Sequence, residues 1–489
     1  MHARSPRNTR GPPRTSDATP MTTCSECAHA GPPGAIVCEV CSAFMQASEC
    51  TDDQPAEVDN DARPPDGACL VTARRLWDGL SDTCVEGECG VGVAIVGESI
   101  AWCGLLEDLP EHFTSLPTML HHAADDSTLM PGLIDSHVHM EFDPLYGLHM
   151  QPVLEDAVHM RQMQARAHAM VRHGITTARD LGGKGGAIKL RSLLEAGACP
   201  GPRLLCAGQP ITVPGGHCHQ WGGEAAGSDA IRAVVRRQIV APTRADLVKV
   251  MATGGVRTAG TNPAEAAFTL AEMRACVEEA TAAGRPCAAH AHGVRGIANA
   301  AEAGVTTIEH CSWVAANGSW GHDEASVVAT IARKGIYVCP TVGAGWATKP
   351  MLTSALSPAL RRMRAAGVQL LAGSDAGAIP QLDHHRLADG LVVMAECAQL
   401  SHADALRSAT SAAAAAHGLT RTCGALAVGL SADVLVVRGK CVQRCSEDRS
   451  GRMRHAEMPW PPRTNAPACR RPHSVFSCLA RHSPGQSTA

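Results

Sequence analysis

The chain has 489 residues, enough for one barrel-sized catalytic domain of roughly 250 to 300 residues with smaller modules beside it. Charged residues make up 18% and the formal net charge is -4, which excludes a surface built to steer polyanions, and an aromatic content of 3% leaves few platforms for stacking bases. No run of about 18 apolar residues occurs and the first twenty residues have no apolar signal core, so the reading is a cytoplasmic protein with neither membrane nor nucleic acid as partner.

In chain order, residues 1–20 are rich in Pro, Arg, Ser and Thr and read as disordered. Residues 21–45 carry Cys24-x2-Cys27 and Cys38-x2-Cys41. Two such knuckles suit one tetrahedral structural Zn2+ of the zinc-ribbon type, in a segment too short to bury a core without metal. The plainer reading is a reduced Cys-rich leader. The 22 cysteines of a chain without a signal peptide favour thiols and metal ligands over a disulfide framework. Residues 46–67 form a polar, acidic linker. Short β-like pieces in 68–128 (CLVTARRLWDG, GVGVAIVGESIAWCG), with a returning hairpin in 420–439, predict a small flanking β-sandwich module.

Over 129–419, strand-like runs alternate with helix-like ones, the pattern of α/β folds with parallel strands. Eight runs qualify: MPGLIDSHVHM, GITTARDLGG, PRLLCAG, LVKVMATGG, PCAAHAHG, VTTIEHC, IYVCPTV and VQLLAGSDAG. Amphipathic stretches over 155–174 and 323–335 predict helices closed by Gly174 and Gly335. Eight βα units predict a (β/α)8 TIM barrel. A doubly wound open sheet would want a Gly-rich phosphate turn after its first strand, where this chain has His-Val-His.

Catalytic groups in such barrels gather at the C-terminal ends of the strands. The first run ends in His137-Val138-His139, and alternation along a strand sends both imidazoles to the same side, as two metal ligands. The fourth contains Lys249 inside an apolar strand, a costly place for an ammonium. Lys249 is either an ion-paired or snorkelling side chain, or it is carbamylated by CO2 and becomes an anionic ligand able to bridge two metals. The fifth run ends in His290-Ala291-His292, the sixth in His310 and the eighth in Asp375. A good zinc ligand or base at the end of each of several strands points to a metal centre. His290 is read as the ligand of its pair, with His292 left for substrate or for support of the ligands. The loop VPGGHCHQWGG brings His217 and His219 near the mouth, as substrate contacts or as solvated loop imidazoles.

The pieces MPGLIDSHVH, HGITTARDLGG, GPRLLCAGQPITVPGGHCHQ, DLVKVMATGG, AAHAHG, GVTTIEHC and LLAGSDAG resemble, in this order, the amidohydrolase superfamily. The resemblance is to its prolidase-like, imidazolonepropionase-related branch with a carboxylated lysine, and it spans roughly residues 68–437. It implies two divalent cations, with Zn2+ expected: one held by His137, His139 and Asp375, the other by His290 and His310, with carbamylated Lys249 between them. It implies hydrolysis by a metal-bridging hydroxide, with Asp375 as the base that passes a proton to the leaving nitrogen. The substrate class it favours is an amide, either Xaa-Pro or another dipeptide or an N-acyl amino acid, contacted by His217, His219 and His292.

Two rival functions remain at this stage. A cyclic-amide hydrolase or deaminase would reuse the same metals, although deaminases of the superfamily usually hold one metal and lack the fourth-strand lysine. A non-catalytic scaffold would recruit a protein partner through the four-cysteine segment; homo-oligomerisation is compatible with either. The resemblance stops near Arg438, and residues 440–489 lack any period and read as a disordered, atypical tail. The expectation is therefore a β module that is truncated or followed by sequence from another reading frame.

Overall fold

The alternating runs fold as an α/β protein. The computed structural model describes residues 68–120, 126–148 and 151–442, together with the short strands Thr22–Thr23, Ala30–Gly31 and Ser477–Cys478. Two units are distinguished, Met1–Asp61 and Ala62–Ala489. In the first, Thr22–Thr23 pairs antiparallel with Ala30–Gly31. Cys24, Cys27, Cys38 and Cys41, and most of the tail beyond 440, lie outside the described residues.

The second unit opens with β1 (Ala68–Leu76), β2 (Val85–Val96), β3 (Ser99–Leu105), β4 (Thr118–Leu120) and β5 (Ser127–Pro131). Together with β13 (Val434–Arg438), they form one sheet in the order β13-β5-β1-β2-β3, with β4 parallel on β1 and the short strand Ser477–Cys478 antiparallel on the outer edge of β13. β1 is shared, pairing with β4 through Leu70–Thr72 and with β5 through Arg75–Leu76. Bulges between Ala73 and Arg75 and between Ala94 and Ile95 increase the coiling of the sheet. The sheet covers a core of Val71, Ala73, Val91, Val93, Ile100, Leu129 and Val434, sealed by Leu426 from the returning chain.

The other strands are β6 (Leu133–Val138), β7 (Ile175–Asp180), β8 (Arg203–Cys206), β9 (Val248–Met251), β10 (Cys287–Gly293), β11 (Thr307–Val314) and β12 (Tyr337–Cys339). One helix follows each: α1 (Asp156–Arg172), α2 (Gly186–Glu195), α3 (Ser228–Ile239), α4 (Leu270–Ala282), α5 (Val294–Ala303), α6 (Ala325–Arg333) and α7 (Pro350–Ala365). All the ladders are parallel, in two sheets ordered β8-β7-β6 and β9-β10-β11-β12. Ile211, just past β8, bridges Val250 of β9. Leu370 bridges Val338 of β12, and Ala376 bridges Val138 of β6.

The last run is therefore two isolated bridges and not a strand. Asp375 adopts a left-handed φ of 56°, which interrupts the extended pairing. Gly373 lies so close to its neighbours that a Cβ there would sit 2.4 Å from Cys339 Sγ and 2.9 Å from His137 Cβ, so only glycine fits. Helix ends follow local chemistry: α1 ends two residues before Gly174, which turns the chain at φ 82°. At the start of α4, Thr269 and Glu272 form a reciprocal capping box. Among the described residues no helix is long and apolar enough to cross a membrane.

Candidate metal centre

The C-terminal ends of β6 and β10, the middle of β11 and the Asp375 turn converge on a cluster of imidazoles. Ring centroids lie 5.3 Å apart for His137 and His139, 5.1 Å for His137 and His310, 4.6 Å for His290 and His310, and 4.7 Å for His292 and His310. Asp375 Oδ1 lies 3.3 Å from His137 Nε2 and 3.4 Å from His139 Nε2. Burial alone would raise the Asp375 carboxyl, but charge interaction and hydrogen bonding with His137, together with its hydrogen bond to His139, hold it well below the usual carboxylate range. Lys249 lies on β9 with 2% of its surface exposed, and no carboxylate of the described residues is within ion-pair distance of its ammonium. Burial holds that ammonium below the ordinary lysine value, against the pull of Glu309 and Asp375.

The donor set suits divalent cations. Ligand atoms of His290, His292 and His310 all lie within 4.8 Å of one another, as do those of His137, His310 and Asp375. Neighbouring acceptors turn several rings so that their other nitrogen is free to ligate. His137 Nδ1 donates to Glu309 Oε2 at 2.9 Å and His139 Nδ1 to the Gly182 carbonyl at 2.7 Å, so both Nε2 atoms face Asp375, donating to it when the ring is protonated and free to ligate a cation when it is neutral. His290 Nε2 donates to the Gly254 carbonyl at 3.3 Å, which leaves Nδ1 as its lone pair. Thr341 Oγ1 holds His310 at 2.9 Å, and Ser312 Oγ holds His292 at the same distance. His290 and His292 are thus equally close to His310, and the division of roles between them is not visible in the spacing. Burial lowers His290 and His310 well below the ordinary histidine value, which favours the neutral, ligating imidazole.

Of the two loop histidines, one joins the cluster. The His217 ring lies 4.5 Å from His290 and is tied to Thr258 Oγ1 at 2.8 Å. His219 makes its hydrogen bond to Gly216 O within its own short turn and makes no ring contact with the cluster. Apolar walls flank the centre: Trp221 stacks on Phe142 at 5.0 Å and lies 5.7 Å from His139, while half-buried Trp320 lies 5.6 Å from His292.

Beneath the cluster lies a buried polar layer that strand-end reasoning missed. Fully buried Glu309 accepts from His137 through Oε2 and from Arg179 Nη2 through Oε1 at 2.8 Å. Arg179 also donates to the Ser136 carbonyl at 2.7 Å and to Thr307 Oγ1 at 3.0 Å. Consecutive residues of a regular strand point to opposite faces, yet Glu309 and His310 both reach His137. The left-handed φ of 65° at His310 and the register shift between β10 and β11 remove the alternation there. Non-glycine residues with positive φ cluster here, at Cys218, His310, Cys311, Trp313, Thr341 and Asp375. Strained backbone of this kind persists where surrounding contacts hold it, and functional sites are where it accumulates.

Glu309→Ala would leave the His137 ring without its acceptor and the Arg179 guanidinium without its carboxylate. The expected result is a loss of about 3–5 kcal/mol in stability, as for other broken buried ion pairs. A cation affinity reduced roughly 10- to 100-fold should accompany it, since His137 loses its orientation. Urea unfolding and competition with a chromophoric chelator measure the two, and unchanged cation affinity would remove the orienting role.

Buried His384 donates from Nε2 to the His139 carbonyl at 3.0 Å, and burial, reinforced by Arg166, pushes its imidazole down to about 3. This value lies below the ~6.5 of an unfolded chain, so the neutral ring contributes stability that is fully present above that pH and is lost as pH falls toward the folded value. The slope is at most ~1.4 kcal/mol per pH unit for this one group. His384→Asn should therefore show a shallower loss of thermal midpoint between neutral pH and the middle of that window. An acid limb as steep as the wild type's would count against it.

Ochratoxinase of Aspergillus niger is 29% identical over 252 residues, 45% of this chain and 50% of that protein, so the chain matches about half the length of this relative. Imidazolonepropionase of Paracidovorax citrulli (strain AAC00-1) is 24% identical over 420 residues, covering 76% of this chain and 92% of that one. The crystal structure of a Xaa-Pro dipeptidase with methionine bound in its active site superposes with a TM-score of 0.66 at 26% identity, covering 77% of this chain and 95% of that one. Residues 128–452, which carry every member of the cluster, match the amidohydrolase family, and the chain belongs to it.

Proposed function

We propose that the chain is a metal-dependent hydrolase that cleaves an amide C–N bond, either of a Xaa-Pro or other dipeptide or of an N-acyl amino acid. The observation that carries this reading is one buried carboxylate, Asp375, held ionised between His137 and His139 and beside the His290–His310 pair. His137, His139 and Asp375 would hold one Zn2+ ion, and His290 and His310 a second, with Lys249 as its carbamate between them. Cations bound there would activate water and polarise the scissile carbonyl. Asp375 takes the proton of the attacking water and returns it to the leaving nitrogen, which departs as a neutral amine. The orienting bonds of His137 to Glu309 and of His139 to Gly182 keep their Nε2 atoms aimed at the carboxylate that does this. His217, His292 and the Trp320 ring border the substrate side, and His219 serves the same loop.

The scaffold in this reading is a closed (β/α)8 barrel. It is supported by the Ile211–Val250, Val338–Leu370 and Val138–Ala376 bridges, which join the ends of the two parallel sheets. The amide class is supported by likeness to a Xaa-Pro dipeptidase. Similarity to an imidazolonepropionase supports a second reading, opening of a cyclic amide at the same centre.

One experiment tests both readings. Xaa-Pro and other dipeptides, N-acyl amino acids and lactams are offered to the protein while its metal content is measured on the same preparation. Turnover of linear amides is the expected result and turnover of lactams alone selects the second reading. A preparation holding two cations per chain that hydrolyses none of them would overturn both.

A further inference from the structure

Far from the centre in sequence, two thiols meet on the β module. Cys84, immediately before β2, and Cys441, just past β13, are 357 positions apart, and their Sγ atoms lie 3.9 Å from each other. The contact is held from several sides. Lys440 Nζ pairs with Glu86 Oε1 at 2.7 Å, Thr128 Oγ1 donates to the Gly439 carbonyl at 2.6 Å, and the Gly439 amide donates to the Asp126 carbonyl. Val442, the next residue, is 1% exposed and packs against the main core, while Cys84 and Cys441 themselves are half-buried and open to small solutes.

We infer that Cys84 and Cys441 form a reversible disulfide, a thiol modification site that takes a small hydroperoxide as its oxidant. Closing the gap from 3.9 Å to the ~2.05 Å of a covalent S–S bond is a movement that rotation about the two Cα–Cβ bonds supplies. Cys84 is the attacking thiol. The Cys441 thiol as hydrogen-bond donor, then the Val442 contact and the cations Lys440 and Arg75, draw Cys84 down to about 7 against the effect of burial, and Cys441 is raised. Glu86, paired with Lys440, and Asp126, paired with Arg75, are the carboxylates nearest these cations. Elsewhere burial pushes the thiols of Cys69, Cys206, Cys218, Cys311 and Cys339 up, away from reaction.

The chemistry balances with hydrogen peroxide. The Cys84 thiolate attacks one peroxide oxygen, the O–O bond breaks, and the departing hydroxide takes a proton to become water, leaving a sulfenic acid. Cys441 sulfur then attacks the Cys84 sulfur, the S–O bond breaks, and the hydroxyl leaves as a second water with the Cys441 proton. The two thiols are oxidised by two electrons and the peroxide is reduced by two. A dithiol reverses the change.

The test uses the full chain, reduced, freed of thiol and treated with hydrogen peroxide, then digested without reductant. Mass spectrometry should find the Cys84 and Cys441 peptides joined with the loss of two hydrogens and separated again by dithiothreitol. Cys441→Ser should leave Cys84 as a sulfenic acid that dimedone traps, and oxidation should raise the thermal midpoint of the wild type but of neither Cys84→Ser nor Cys441→Ser. Cys84 recovered joined to Cys89 or over-oxidised, with Cys441 still free to alkylate, would overturn the proposal.

Discussion

Replacing Asp375 with asparagine should lower turnover by about 10²- to 10⁴-fold while bound cation falls only in part. Asparagine keeps an oxygen in the place of the carboxylate oxygen that sits 3.3 Å from His137 and 3.4 Å from His139, so a weakened ligand survives. What it loses is the capacity to take and return a proton. The loss should therefore fall on kcat more than on metal content, a split that steady-state kinetics and metal analysis on one preparation resolve. Full activity in this variant would remove Asp375 from proton transfer.

The second large effect is expected at Lys249. Its side chain is among the largest fully buried ones, and no carboxylate of the described residues is close enough to pair with it. An ammonium in such a place is costly, whereas a carbamate between two cations is neutralised by them. Lys249→Met fills a similar volume with an apolar chain, so the protein should fold with undiminished thermal stability in the absence of metal. It should nevertheless hold less divalent cation than the wild type and lose most of its turnover. Wild type equilibrated with 13C-bicarbonate should show a carbamate carbon by NMR that the variant lacks. A variant that retains two cations, or a wild type without the label, would show that Lys249 plays another part.

Much of this centre was legible because apolar runs carrying His137, His139, His290, His310 and Asp375 leave few other uses for those side chains. The strand–helix alternation was legible for the same reason: helices closed by glycine and short β-branched runs carry distinct periods. Glu309 and Arg179 were not, because a period of two assigns Glu309 to the face opposite His310, and only the left-handed backbone at His310 brings both to His137. The missing eighth ladder has a similar origin, since nothing in LLAGSDAG announces that Asp375 takes a positive φ. His219 illustrates the limit for loops: its spacing from His217 suggested a pair, but a tight turn gives its ring a partner within the loop.

The pairing of β5 with β13 bears on how the protein is made. β5 ends at Pro131, one residue before the strand that carries His137, and its antiparallel partner spans Val434–Arg438. On a ribosome the partner emerges some three hundred residues later, after every proposed ligand has left the tunnel. The strand leading to the first ligand therefore waits, one edge unpaired, for nearly the whole of synthesis. Its long-range closure is a late and slow event of the kind that high contact order imposes. A nascent chain would present its histidines to any free metal around it before the scaffold that arranges them exists, and a faithful loading of the centre belongs to the finished chain.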